Sequence, residues 1–161
     1  MISKPIPLSL RKKTSARIAA VQCLYQRKLT GENLLPEKML ENHMAHWQED
    51  HEGGDRAFSK DAEPDKGLLR KLLITAVEHH DRIDTIIRSA LTDKWTVERM
   101  SPLMLAILTG ALVELKFLGT LSAPIVIDEY VTLTGRFFEG AEVGFVNGIL
   151  EHLAATQVSL G

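Results

Sequence analysis

The sequence predicts an all-α protein of about seven helices, and three observations carry that expectation. Apolar residues recur at helical spacing through most of the chain. Six prolines and eleven glycines fall mostly where those periodic stretches begin and end, as helix starts and stops require. No segment shows the strict alternation of a half-buried strand, and no tandem repeat is present.

Residues 1–10, broken by Pro5 and Pro7, read as a flexible N-terminal arm without the apolar core of a signal peptide. Thr14 or Ser15 can cap a first helix running to about Leu29. Its expected buried stripe is Ile18, Val21, Tyr25 and Leu29, flanked by Lys13 and Arg17 four residues apart. Thr30-Gly31 ends it. Pro36 opens a second helix with Leu35, Met39, Leu40, Met44 and Trp47 as its apolar side. Residues 51–65 are rich in Gly, Asp and Glu and read as a polar loop. Asp65 can cap a third helix whose wide apolar face includes Leu69, Leu72, Leu73 and Ala76. Ile83, Ile86, Ile87 and Leu91 extend the pattern beyond a bend around His79-His80-Asp81, and Trp95 and Met100 are expected to pack beneath the next segment. Ser101-Pro102 is a cap followed by proline at the first helical position. The helix 102–118 that follows is apolar nearly all round, which marks it as the central core helix, closed by Gly119. The last pair opens at Pro124, with Ile127, Tyr130, Val131 and Phe137 recurring near a 3.6 period; Gly135 and Gly140 bracket its exit. The final helix carries Val146, Ile149, Leu150 and Leu153, a stripe that must face a core.

A chain of 161 residues is most simply one domain, able to bury roughly two-thirds of its unfolded surface without disulfide or metal. Cys23 is the only cysteine, so no internal disulfide forms, and its mid-helix position suits packing. No apolar run approaches the ~18 residues of a membrane span, and a soluble cytoplasmic protein is expected. The net charge of −2 hides an asymmetry. Residues 1–31 hold seven basic side chains and no acidic one, whereas residues 32–65 hold ten acidic and three basic. One basic face on a mildly acidic protein is suited to a polyanion.

The chain carries no phosphate-cradling glycine-lysine loop, dinucleotide glycine fingerprint, nucleophile elbow or paired cysteines. His43 and His46, with His51 close behind, have zinc-like spacing but lack further ligands, so no metal is expected. His79-His80-Asp81 has no nucleophile nearby, and Glu114, Asp128 and Glu129 have no visible catalytic partner. A binding protein without a cofactor is the better class. Phe145 lies off the final helix's stripe, one residue ahead of it and beside Asn147, in what reads as the first turn. The glycines before it suggest free backbone N–H groups for a phosphate and a ring able to stack on a base. The alternative is that Phe145 staples against Ile149 and Asn147 is a plain helix-start residue.

Two separated stretches resemble one known family. Ile127-Asp128-Glu129-Tyr130-Val131 with Phe137-Phe138-Glu139-Gly140 and Phe145-Val146-Asn147-Gly148-Ile149-Leu150 is similar to the C-terminal signature of the NusB transcription antitermination factors. Ala16-Arg17-Ile18-Ala19-Ala20-Val21-Gln22-Cys23-Leu24-Tyr25 is similar to that family's first helix, and the likeness covers about residues 12–155. The resemblance implies two packed helical bundles in one unit, residues 11–161. It also implies binding of single-stranded boxA-type RNA in nascent ribosomal RNA transcripts, jointly with NusE, a small-subunit ribosomal protein. The complex would join elongating RNA polymerase with other Nus factors, and the free protein could pair as a homodimer. The positions implied to touch RNA are Arg11, Lys12, Lys13, Arg17, Phe145 and Asn147, and those implied to meet NusE are Tyr25 and Met104. The chain departs from the family pattern at Ser15, Met104, Thr109, Ala141 and Gly144; the last two stand where acidic and basic residues are usual. Two other classes remain open, a helical protein–protein adaptor and the NusB-like module of an rRNA methyltransferase.

Overall fold

The computed structural model describes residues 5–52, 62–91 and 97–156; the start of the arm, most of the polar loop and Trp95 lie outside them. The described residues form seven α-helices and no strand: α1 Leu8–Thr30, α2 Pro36–Glu52, α3 Lys66–Glu78, α4 His80–Ala90, α5 Pro102–Leu112, α6 Ala123–Thr134 and α7 Ala141–Ala155. The all-α expectation is met. The chain divides into two compact units, residues 1–73 and 74–161.

In the first unit α1 begins at Leu8, earlier than Thr14, so the last three residues of the expected arm are helical. Pro7 explains the start. Its fixed φ of −55° precedes the first turn, and its carbonyl accepts from the N–H groups of Leu10 and Arg11, both at 3.1 Å. Gly31, at φ 69°, ends the helix by donating its N–H to the Arg27 carbonyl, a left-handed exit that favours glycine. The buried run is Ser15–Val21 with Cys23 and Leu24, while Tyr25 is half-buried and Leu29 is 57% exposed. The expected stripe was therefore displaced toward the N-terminus, where small alanines let α1 pack closely. Met39, Leu40 and Met44 of α2 are buried, while Leu35 is exposed. Asp65 caps α3 as expected, its Oδ1 accepting the Leu68 N–H at 3.0 Å, and its own N–H donates to the Lys12 carbonyl at 3.0 Å.

In the second unit His79 separates α3 from α4, which buries Ile83, Ile86 and Ile87. Met100 is buried, and Ser101 caps α5 through its Oγ, which accepts the Met104 N–H at 3.1 Å. α5 is buried almost throughout and does not continue as one α-helix to residue 118; residues 113–118 form a π-helical turn closed by Gly119 at φ 59°. Within that turn Glu114 is only 2% exposed, and the fully buried Tyr130 of α6 donates its Oη–H to the carboxylate at 2.6 Å. Gly110 makes room for the tyrosine: a Cβ there would lie 3.1 Å from Tyr130 Cε1 and 3.3 Å from its Oη. α6 turns Val126, Tyr130 and Leu133 inward; of the expected periodic set Tyr130 is buried, while Ile127, Val131 and Phe137 are half-exposed. On α7 the inward residues are Val146, Ile149, Leu150 and Leu153, as the spacing predicts. No helix among the described residues is long and apolar enough to cross a membrane.

Candidate nucleic-acid interface

The basic cluster of the first unit is built by the early start of α1. Counting from Leu8, Arg11, Lys12 and Lys13 stand at the end of its first turn and the start of its second, with Arg11 and Lys13 exposed and Lys12 half-buried. No acidic residue occupies that first turn. Cations at a helix N-terminus oppose the helix dipole, so this placement adds nothing to the stability of α1. The hydrogen bond from Asp65 to the Lys12 carbonyl holds this stretch of backbone in place. Arg17 differs from its three neighbours. It is 4% exposed and not without a partner, so it does not extend the basic surface.

Phe145 and Asn147 sit on α7 in the second unit. Counting from Ala141, Phe145 is the fifth helical residue, in the second turn and not the first. The amide groups expected to be free are partly used, since the Gly140 carbonyl accepts from Val143 at 3.2 Å and from Gly144 at 3.5 Å. Phe145 is half-buried and Asn147 exposed. At about 100° per residue the two side chains stand roughly 200° apart around the helix, one on each side of the buried stripe. The structure therefore does not bring Asn147 to the Phe145 surface. Asn147 instead lines a cavity between α6 and α7. Neither α6 nor α7 carries a lysine or arginine, and together they hold Asp128, Glu129, Glu142 and Glu151.

The two positions implied to meet NusE lie in different units and differ in exposure. Tyr25 is half-buried and lines an open cavity of about 790 Å³ between α1 and α2, together with Leu29, His43, Trp47 and Pro64. Burial, and secondarily the charge of His46, hold the His43 imidazole below its ordinary pKa, so it is neutral at neutral pH. Met104 is 5% exposed inside α5 and presents no side chain to a partner. Among the described residues no cluster of three His, Cys, Asp or Glu could hold a metal. Burial pushes the Cys23 thiol up to about 12, leaving it an inert packing group.

Two arrangements escaped the sequence. The Glu114–Tyr130 pair had a trace in it, an acid inside a largely apolar stretch, but its partner lies sixteen residues away on another helix. The cavity lined by Ile127 and Val131 had none, because half-exposed and buried apolar residues look alike in a periodic pattern.

Comparison with known proteins follows the same lines. A sequence model of the NusB family matches residues 14–155. The transcription antitermination protein NusB of Hyphomonas neptunium is 31% identical over 151 residues, spanning 92% of this chain and 93% of the relative. That of Nitrobacter winogradskyi is 29% identical over 153 residues, spanning 95% and 91%. Among solved structures, NusB of T. maritima superposes with a TM-score of 0.69 at 25% identity, covering 95% of this chain and 92% of its own. The antitermination factors NusB and NusE in complex with double-stranded RNA match with a TM-score of 0.70 at 26% identity, covering 90% and 97%. With a family model spanning most of its length and relatives matched nearly end to end, this chain belongs to the NusB family.

Proposed function

We propose that this protein is a transcription antitermination factor that recognises boxA-type RNA in nascent ribosomal RNA transcripts. In this reading it acts with NusE in the cytoplasm and joins the RNA polymerase elongation complex with other Nus factors. Its chemistry is recognition and not catalysis. One observation carries the RNA assignment: Arg11, Lys12 and Lys13 stand together at the start of α1, in a stretch of 31 residues with seven basic groups and no acid. Three cations held at a helix start, where they do not stabilise the helix, suit a row of phosphates. In the second unit Phe145 supplies a ring for a base, so charge and stacking come from different helices. The complex of NusB, NusE and RNA known for a relative supports the same pairing of partners. Arg17, Met104 and Asn147 are left out of the contact surface, the first two because they are buried and the third because it faces away from Phe145.

Replacing Arg11, Lys12 and Lys13 together by alanine is expected to weaken binding of a boxA-type RNA and to flatten its salt dependence. Each lost phosphate contact removes ~0.7 from the slope of log affinity against log salt for a single strand, so up to about two units disappear. An unchanged slope in RNA titrations across two or more salt concentrations would remove the electrostatic assignment.

Tyr25 is the residue we assign to NusE. Its half-buried ring beside the cavity between α1 and α2 offers apolar area with a polar tip, the composition of interface anchors. Tyr25→Asp is expected to weaken NusE binding by about tenfold or more, a loss of at least ~1.4 kcal/mol, while the α-helical circular dichroism stays intact. Equal NusE affinity in the folded variant, read by calorimetry, would show that the partner docks elsewhere.

A further inference from the structure

The two helices of the second unit that carry the family signature also enclose a surface cavity that the RNA and NusE assignments leave unused. It has a volume of about 570 Å³, within the range of sites that take a ligand side chain or small segment. Its apolar lining includes Pro124, Ile127 and Val131 from α6 and Ala154 from α7. Its lining also includes two exposed acidic residues, Asp128 on α6 and Glu151 on α7. No ion pair or hydrogen bond among the described residues engages either carboxylate. One end of the cavity is anchored, since Lys116 donates to the carbonyls of Ala154 at 3.4 Å and Thr156 at 2.9 Å and so caps α7. A partner therefore meets a groove that is already formed, which lowers the ordering cost of binding.

We infer that this α6–α7 groove docks a segment of another protein that presents an aliphatic side chain flanked by lysine or arginine. Three properties select that occupant. The half-exposed Ile127 and Val131 offer apolar area to an aliphatic side chain. Asp128 of α6 and Glu151 of α7 both line the cavity and are exposed, so a basic residue beside the anchor meets an opposite charge from either helix. The helical pair as a whole carries four carboxylates and no lysine or arginine, which repels a phosphate backbone and favours a basic polypeptide. RNA is disfavoured on a second count, because no aromatic ring lines the groove for a base to stack on. The assignment does not depend on the RNA reading, since it uses the far side of α7 from Phe145.

The test uses the full-length protein and a fluorescently labelled helical peptide of leucine, alanine and lysine with leucines three and four residues apart. Two paired variants make the same change in net charge: Asp128→Lys with Glu151→Lys at the groove, and Glu139→Lys with Glu142→Lys outside it. The peptide is expected to bind the wild type and the outer variant alike, and to bind the groove variant at least about tenfold more weakly. Methyl resonances of Ile127, Val131 and Ala154 are expected to shift on titration. A peptide with glutamate in place of lysine is expected to bind at least about tenfold more weakly to the wild type. Equal losses in both paired variants would reduce the effect to net charge and overturn the proposal. So would methyl shifts outside the groove, or a wild-type protein that sediments as a dimer through this face and releases its second copy when the peptide binds. An unaltered RNA titration in the groove variant would leave the antitermination reading standing whichever way the peptide result falls.

Discussion

Phe145→Ala is expected to weaken boxA-type RNA binding by about ten- to a hundredfold, because base–aromatic stacking is typically worth ~1–3 kcal/mol per base. The position of the ring explains why affinity, and not the fold, should bear most of the loss. Val146, Ile149, Leu150 and Leu153 make the buried stripe of α7, and Phe145 flanks it half-buried. Truncating a core phenylalanine would cost roughly 3–5 kcal/mol of stability, whereas a ring at the margin of the stripe loses only part of that. Thermal melting and RNA titration on the same variant separate the two roles. A large fall in melting temperature with undiminished RNA affinity in the folded fraction would make Phe145 a packing residue only. Gly144 adds a second arm. It is not at positive φ, and a Cβ added there meets nothing within 4 Å, so Gly144→Lys is accommodated without strain. A lysine one residue before the ring, in a helix pair without cations, is expected to raise RNA affinity at low salt and to lose that gain at high salt.

The second large effect is on stability and comes from the inside of the second unit. Tyr130→Phe is expected to destabilise the protein by about 1–3 kcal/mol, because the Glu114 carboxylate, 2% exposed, loses the Tyr130 hydroxyl that donates to it at 2.6 Å. For a chain of this size each kcal/mol lowers the melting temperature by about 2–4 °C, so the loss is measurable by calorimetry. Removing the acid as well reverses the logic. Combining Tyr130→Phe with Glu114→Leu removes both ends of this hydrogen bond, and the double variant is expected to be more stable than the sum of the single losses predicts. Strict additivity in that cycle would show that the hydroxyl and the carboxylate do not depend on each other.

The order and identity of the helices were legible in the sequence because local chemistry controls them. Asp65 and Ser101 cap where short polar side chains precede apolar periodicity, and each accepts the N–H that the pattern assigns to it. The stripe of α7 was legible for the same reason, as four apolar residues at strict helical spacing admit one inward face. The start of α1 was misplaced because two signals competed. Prolines at 5 and 7 read as a broken arm, while Pro7 in fact sets the φ that opens the helix at Leu8. The basic residues could be listed from sequence, but not their exposure. Arg17 and Lys13 are four apart on one helix, yet one is buried and the other exposed.

What the sequence by itself determined about this protein is its helical class, its charge asymmetry and its membership of the NusB family. Each rests on residue type and spacing along the chain. Only the tertiary structure decided which apolar residues of α6 face inward. Ile127 and Val131 have the same spacing as a core pair, but the buried Tyr130, seated against Gly110 and hydrogen-bonded to Glu114, turns them toward the α6–α7 groove. A single bulky side chain with one polar tip sets the rotation of its helix, because its hydroxyl can reach its buried partner in only one orientation. Periodicity records that a helix has an apolar side; the partners across the core determine how that side is divided between interior and surface.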